Sequence, residues 1–213
     1  MKKLFVLLCF LFEASVFTAQ VQRAVDGQSI IRDNIVANEE FRFFRDWTKV
    51  AVFKSGIGET VELFPITFTV PTKKIELSGL QLDAEVKPQN EALRASYTPA
   101  GLNLMNKDFI KRSIFIDKQD AARFISFIER EVIPHLKDSY KKQSMEYVFK
   151  SKEMFFSFLI FEKTARITIH IIDFGPLGDG SGGGDEIEFW TEARIDEIPD
   201  MLETLKAFQS KMK

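Results

Sequence analysis

The sequence predicts an α+β fold: two antiparallel β-meanders, each closed by one helix in a ββββα-like unit, with the sheets packed together and the helices outside. Three observations predict it. Two amphipathic helical stripes stand in the chain, each after a short apolar strand. A series of apolar or alternating segments, joined by polar turns, precedes each stripe. One of those segments, Met154-Phe155-Phe156-Ser157-Phe158-Leu159-Ile160-Phe161, is apolar on both alternating faces. Such a strand needs cover on both sides of its sheet, from a helix on one side and a second sheet or a second chain on the other.

The chain opens on an address. Lys2 and Lys3 supply a positive start, Leu4 to Phe12 is an apolar run broken only by Cys9, and a more polar exit ends at Ala19. That is the layout of a secretory signal peptide, expected over residues 1–19 with cleavage after Ala19. The run is too short to span a bilayer, which takes about 20 apolar residues. A periplasmic or secreted protein without a transmembrane anchor is therefore expected. Leu7 and Leu8 stand where a lipid-modified cysteine would want small residues, so lipid anchoring is not.

Residues 20–46 carry Ile30, Ile31, Ile35, Val36, Phe41, Phe43 and Phe44, too many apolar groups for a disordered tail. They are expected to form an extra strand or a short helix docked on the first unit. That unit spans 20–142 with strands at Thr48–Phe53, Val61–Val70, Ile75–Val86 and Leu93–Tyr97, and a turn at Pro71-Thr72-Lys73-Lys74. Its last strand, Ser113–Ile116, leads to a helix that Asp117 can cap, with Asp120 in the first turn. Ala121, Phe124, Ile125, Ile128 and Val132 recur at helical spacing, and Pro134 bends or ends the helix. Lys137 to Gln143 reads as a solvated linker.

The second unit spans 145–213, with strands at Tyr147–Lys150, Met154–Phe161, Arg166–Ile172 and Glu186–Trp190 and a turn at Glu162-Lys163-Thr164-Ala165. Thr191 is a candidate cap, although Pro199 points to a firm helical start near Asp196 to Ile198. Ile198, Met201, Leu202, Leu205, Phe208 and Met212 form the stripe. A 74-residue shift that lays Asp117 on Thr191 also lays Phe124 on Ile198 and Ile128 on Leu202, a match of pattern without identity. A weak duplication and a single α+β domain explain this equally well.

Four strands then a helix, given twice, resembles the topology of the PUR and Whirly single-stranded nucleic-acid binders. The resemblance is of element order only, and no residue is carried over from those families. Without Lys2, Lys3 and Glu13 the chain has 27 basic and 30 acidic residues, a net charge of −3. A polyanion binder rests on a strong basic field, so nucleic acid is not an expected partner.

Cys9 is the single cysteine, so the processed chain would carry no thiol or disulfide. Of 22 phenylalanines, 18 lie beyond residue 19 and read first as core. Trp47 and Trp190 read as core or interface residues.

The glycine-rich stretch Phe174 to Glu186 is the one unusual segment. Gly178, Gly180 and Gly183 formally satisfy G-x-G-x-x-G, but a strand follows where a dinucleotide site needs a helix. Asp179 stands where a nucleophile elbow around Ser181 would need glycine. Calcium suits the segment better: Asp173, Asp179, Asp185 and Glu186 flank the glycines with hard oxygen ligands, against the alternative of a solvated hairpin loop. His135 and His170 lack a partner at metal-site spacing such as H-E-x-x-H, and each is expected on the surface or half-buried.

The expected function is an exported, non-catalytic binding or envelope-assembly module, with a protein partner or a homodimer formed through the apolar sheet face. No cofactor other than calcium is expected. A small-ligand or calcium-binding protein is one alternative. A hydrolase using two of the scattered carboxylates on envelope or extracellular polymers is the other.

Overall fold

The computed structural model describes residues 27–87, 109–172 and 186–211. The fold is α+β, with two antiparallel sheets. Helix α1 (Ile30–Ala37) precedes β1 (Arg42–Arg45), β2 (Ala51–Lys54), β3 (Thr60–Val70), β4 (Ile75–Val86) and β5 (Ile110–Asp117). Helix α2 (Lys118–Phe127) follows, then β6 (Ser144–Lys150), β7 (Met154–Phe161), β8 (Thr164–Ile172), β9 (Glu186–Thr191) and α3 (Ile198–Gln209). The first sheet runs β1-β3-β4-β5, with β2 also on β3; the second runs β6-β7-β8-β9. Residues 20–46 thus supply both a helix and an edge strand. The strand expected at Leu93–Tyr97 and the signal segment lie outside the described residues.

Both expected turns form for a stated reason. After β3, Pro71–Lys73 makes one 3₁₀ turn and Lys74 takes a left-handed φ of 54°, reversing the chain into β4. Glu162, at φ 55°, does the same between β7 and β8.

The β3–β4 hairpin organises the first sheet because its two faces do different work along its length. In its lower half Val61 and Leu63 of β3, with Leu80, Leu82 and Ala84 of β4, face the main core. In its upper half Ile66, Phe68 and Val70, on the opposite face, form a second core with Ile31 of α1 and with Ile35, Leu77 and Phe115. Gly79 permits this layering: a Cβ there would overlap the Ile116 carbonyl oxygen and press on Ile31 Cδ1 at 3.0 Å.

The main core is continuous across both sheets. Phe53 of β2 meets Phe156 of β7 at 6.1 Å between ring centroids. Helix α2 packs on β4 and sets Phe124 against Phe149 at 5.3 Å and Phe156 at 5.2 Å. Along β7, Met154, Phe156, Phe158 and Ile160 turn into this core. On the other face Phe155 and Ser157 are also buried, while Leu159 is half-buried and Phe161 is 54% exposed, so the cover that the doubly apolar pattern calls for reaches only the first half of that face.

Several expectations are corrected. Asp117 occupies the N-cap position of α2, yet its side chain makes no bond there. It accepts instead from the Ile30 and Ile31 amides at 2.8 and 3.1 Å, so it caps α1, 87 residues earlier in the chain. Thr191 ends β9 and does not cap a helix; its hydroxyl donates to the Lys54 carbonyl at 2.7 Å, joining the two sheets. The second helix starts at Ile198 after a 3₁₀ turn at Ile195–Glu197, where Pro199 leads the sequence to place it. Beyond α2 the chain widens into a π turn at Ile128–Val132 and tightens at Ile133–His135, around Pro134. His170, expected near the surface, is 3% exposed in β8, edge-on to Phe155 at 5.4 Å. Of the two places expected for Trp47, core or interface, the core is ruled out, since it is 75% exposed.

Candidate functional site

An opening lies over the upper half of the hairpin. Sheet two and α2 cover only the lower half of that face, which leaves Thr67, Glu76 and Ser78 uncovered above. The result is a cleft of about 750 Å³. Its apolar surface comes from Phe44 of β1, Ile30 of α1 and Phe208 near the end of α3; its charged rim comes from Asp46, Glu76, Asp117, Lys118 and Lys211. Phe44 stands 67% exposed, because its neighbours in β1 turn to the opposite face.

Two carboxylates of the rim are shifted in opposite directions. Burial pushes Asp117 above its ordinary range, although the Ile30 and Ile31 amides oppose the shift. The Thr48 amide, 2.9 Å from Asp46 Oδ1, holds Asp46 below its ordinary range.

Around the cleft the segment 41–47 displays aromatic side chains. Phe41, Phe43 and Trp47 are 40%, 38% and 75% exposed on the face opposite Phe44. The Arg45 guanidinium lies over Trp47 at 4.2 Å and over Phe64 at 3.7 Å, and pairs with Asp83 at 2.7 Å. Exposed aromatics clustered in so short a segment are the kind of surface that meets a ligand or partner.

A second polar group lies at the far end of α2. His135 Nδ1 donates to Asp138 Oδ2 at 2.7 Å while its ring stacks on Tyr147 at 4.6 Å. The Tyr140 hydroxyl donates to the same carboxylate at 3.2 Å. The hydrogen bond to Tyr147, then desolvation, then Asp138 push the Tyr140 phenol up to about 12. The His135 bond holds Asp138 below the ordinary carboxylate range. The i, i+3 spacing of His135 and Asp138 and the neighbouring Tyr140 were visible in the sequence; Tyr147 reaches them only in the fold.

A third group was invisible in sequence. Glu153, in the turn between β6 and β7, is fully buried. Its Oε1 accepts from the Ser29 amide at 2.7 Å, the Ser29 hydroxyl at 2.6 Å and Arg32 Nε at 3.0 Å. Its Oε2 accepts from Arg32 Nη2 at 2.9 Å and the Phe115 amide at 3.0 Å. One carboxylate thus fastens the start of α1 and strand β5 to the second sheet. The partners stand 121 to 124 residues away on α1 and 38 away on β5, separations that no local pattern reveals.

Of the four residues expected to hold calcium, Asp173, Asp179 and Asp185 lie outside the described residues. Glu186 begins β9 opposite Ile172. Among the described residues no three acidic, histidine or cysteine side chains gather as a metal site. Trp190 is 43% exposed at the second sheet's edge, with Arg166 over its ring at 4.7 Å. Among the described residues no helix is long and apolar enough to cross a membrane. No protein-family model, curated protein or solved structure matches the chain.

Proposed function

We propose that this protein is an exported, non-catalytic binding module whose ligand seats in the cleft beside β1. One observation carries the reading: the roughly 750 Å³ opening presents apolar side chains, Phe44 foremost, inside a rim bearing both signs of charge. Ligand sites combine these ingredients, an apolar concavity for affinity and a few polar groups for orientation. The export part of the reading comes from the Lys2-Lys3 start and the apolar run to Phe12.

The test is crosslinking and affinity recovery of the tagged protein from the cell envelope of its host, run beside a Phe44→Ala, Phe208→Ala variant and a signal-deleted control. One envelope component recovered in proportion by the wild type, and lost from both controls, supports the reading. Recovery that ignores the cleft substitutions sinks it.

A second reading concerns calcium. Ile172 pairs with Glu186, so segment 173–185 leaves and re-enters through neighbouring strands, which suits ligation by Asp173, Asp179, Asp185 and Glu186. Millimolar calcium should then raise the thermal midpoint, and Asp179→Asn with Asp185→Asn should abolish the rise. An unchanged midpoint in the wild type removes this reading.

A further inference from the structure

We infer that two copies of this chain join through the free edge of β1 around a twofold axis at Phe44. The inference is independent of what the cleft binds.

It begins with the backbone. Among the described residues, strand β1 ends the first sheet and hydrogen-bonds on one side only, to β3. The Asp46 amide donates to the Pro65 carbonyl at 2.9 Å. Hydrogen-bonded and non-bonded pairs alternate along an antiparallel ladder, so Arg42 and Phe44 also point their backbone groups at β3. The amides and carbonyls of Phe43 and Arg45 therefore point away from the sheet. An open edge of this kind is a template for another strand. Edge strands are blunted by shortness, charge, proline or a bulge; β1 is short and carries Arg42 and Arg45, but it has no proline or bulge and is paired regularly with β3.

The side chains then select the strand. Antiparallel pairing of the segment with its own copy, centred on Phe44, sets Phe44 against Phe44 and Phe43 against Arg45. It also sets Arg42 against Asp46 and Phe41 against Trp47. Every pair is favourable: two aromatic pairs, a cation over an aromatic ring and an opposite-charge pair. The outward amides and carbonyls of Phe43 and Arg45 also lie symmetrically about this centre, so the two copies exchange them reciprocally. Centring on Phe43 would oppose Glu40 to Asp46, and centring on Arg45 would oppose Arg45 to itself. Self-complementarity about one residue is the requirement for an isologous twofold interface. The product is one sheet running β5-β4-β3-β1 into the same order reversed, with the two clefts adjoining at the axis.

The test uses the full chain with Cys9→Ser, which removes its only cysteine. Phe44→Cys in that background should crosslink to a disulfide dimer under mild oxidation, since directly opposed residues of a non-bonded pair lie about 4.5 Å apart. Trp47→Cys should not. Its copy would lie six residues along the partner strand, about 20 Å away, and disulfides need Cα atoms within about 7 Å. Light scattering of the uncrosslinked chain should give twice the chain mass. Arg42→Glu should weaken the dimer about tenfold or more, because the pair occurs twice. Adding Asp46→Lys should restore it. A monomer that Phe44→Cys fails to crosslink overturns the proposal. So does crosslinking of Trp47→Cys as readily as Phe44→Cys, or a dimer indifferent to Arg42→Glu.

Discussion

Glu153 serves as a joint and not as a reacting group: five donors converge on its two oxygens in a site closed to water. Building a buried ion pair is close to neutral in free energy, but removing one partner is costly. Glu153→Gln should lower unfolding free energy in urea by about 3–5 kcal/mol; a loss below about 1 kcal/mol would show that the joint holds nothing. Asp117 behaves differently, because burial raises its pKa. The folded chain then holds the proton more tightly than the unfolded chain. Stability contributed by this group falls as pH rises from the ordinary 3.8 through the raised value, and is flat above it. The stability advantage of wild type over Asp117→Asn should accordingly be greatest in acid and shrink across that window, as read by denaturant titrations at stepped pH. Tyr140, pushed up to about 12, should titrate well above the ordinary 10.0 by ultraviolet absorbance, and Tyr147→Phe should bring it back toward 10.0.

At the scale of elements, periodicity located the strands and the two long helices because those segments bury one or both faces along their length. The apolar face of α2, from Ala121 to Val132, was legible for that reason, as was the doubly apolar β7. Its partners were not: nothing local says that Phe124 meets Phe149 and Phe156. Phe156→Ala should cost about 3–5 kcal/mol by opening a cavity among these rings. Gly79 makes the complementary case, since the β4–β5 pairing leaves no room for a methyl group. Gly79→Ala should destabilise by at least about 1–3 kcal/mol through overpacking and shift the α1 amide signals. A neutral effect would mean that β5 yields more easily than its backbone pairing implies. The edge strand β1 was half legible. Its apolar residues signalled a docked element, but the extended backbone that exposes Phe44 and Trp47 depends on β3.

Across the whole molecule, long-range bonds set how the parts are joined. Glu153 and Asp117 hold the amino-terminal helix to both the second sheet and β5, and Thr191 links β9 to β2. The cleft owes its shape to this assembly, because its walls come from α1, β1, the β3–β4 hairpin, the start of α2 and the end of α3. The twofold pairing belongs to the same scale, since it needs a free sheet edge as well as a self-complementary segment. A calcium response, if measured, would locate a separate site at the far end of β8 and β9.

The sequence by itself determined the α+β class, most strand limits and the two long helical stripes, because burial of a face imprints its period on neighbouring residues. It also held the segment 41–47, whose self-complementarity can be read off the residues once its strand is known. Only the tertiary structure decided that Asp117 caps α1, that Glu153 is a buried acceptor, that His170 lies inside and that Trp47 lies outside. Each of these depends on groups brought together across tens of residues or more, where one-dimensional spacing carries no record of distance.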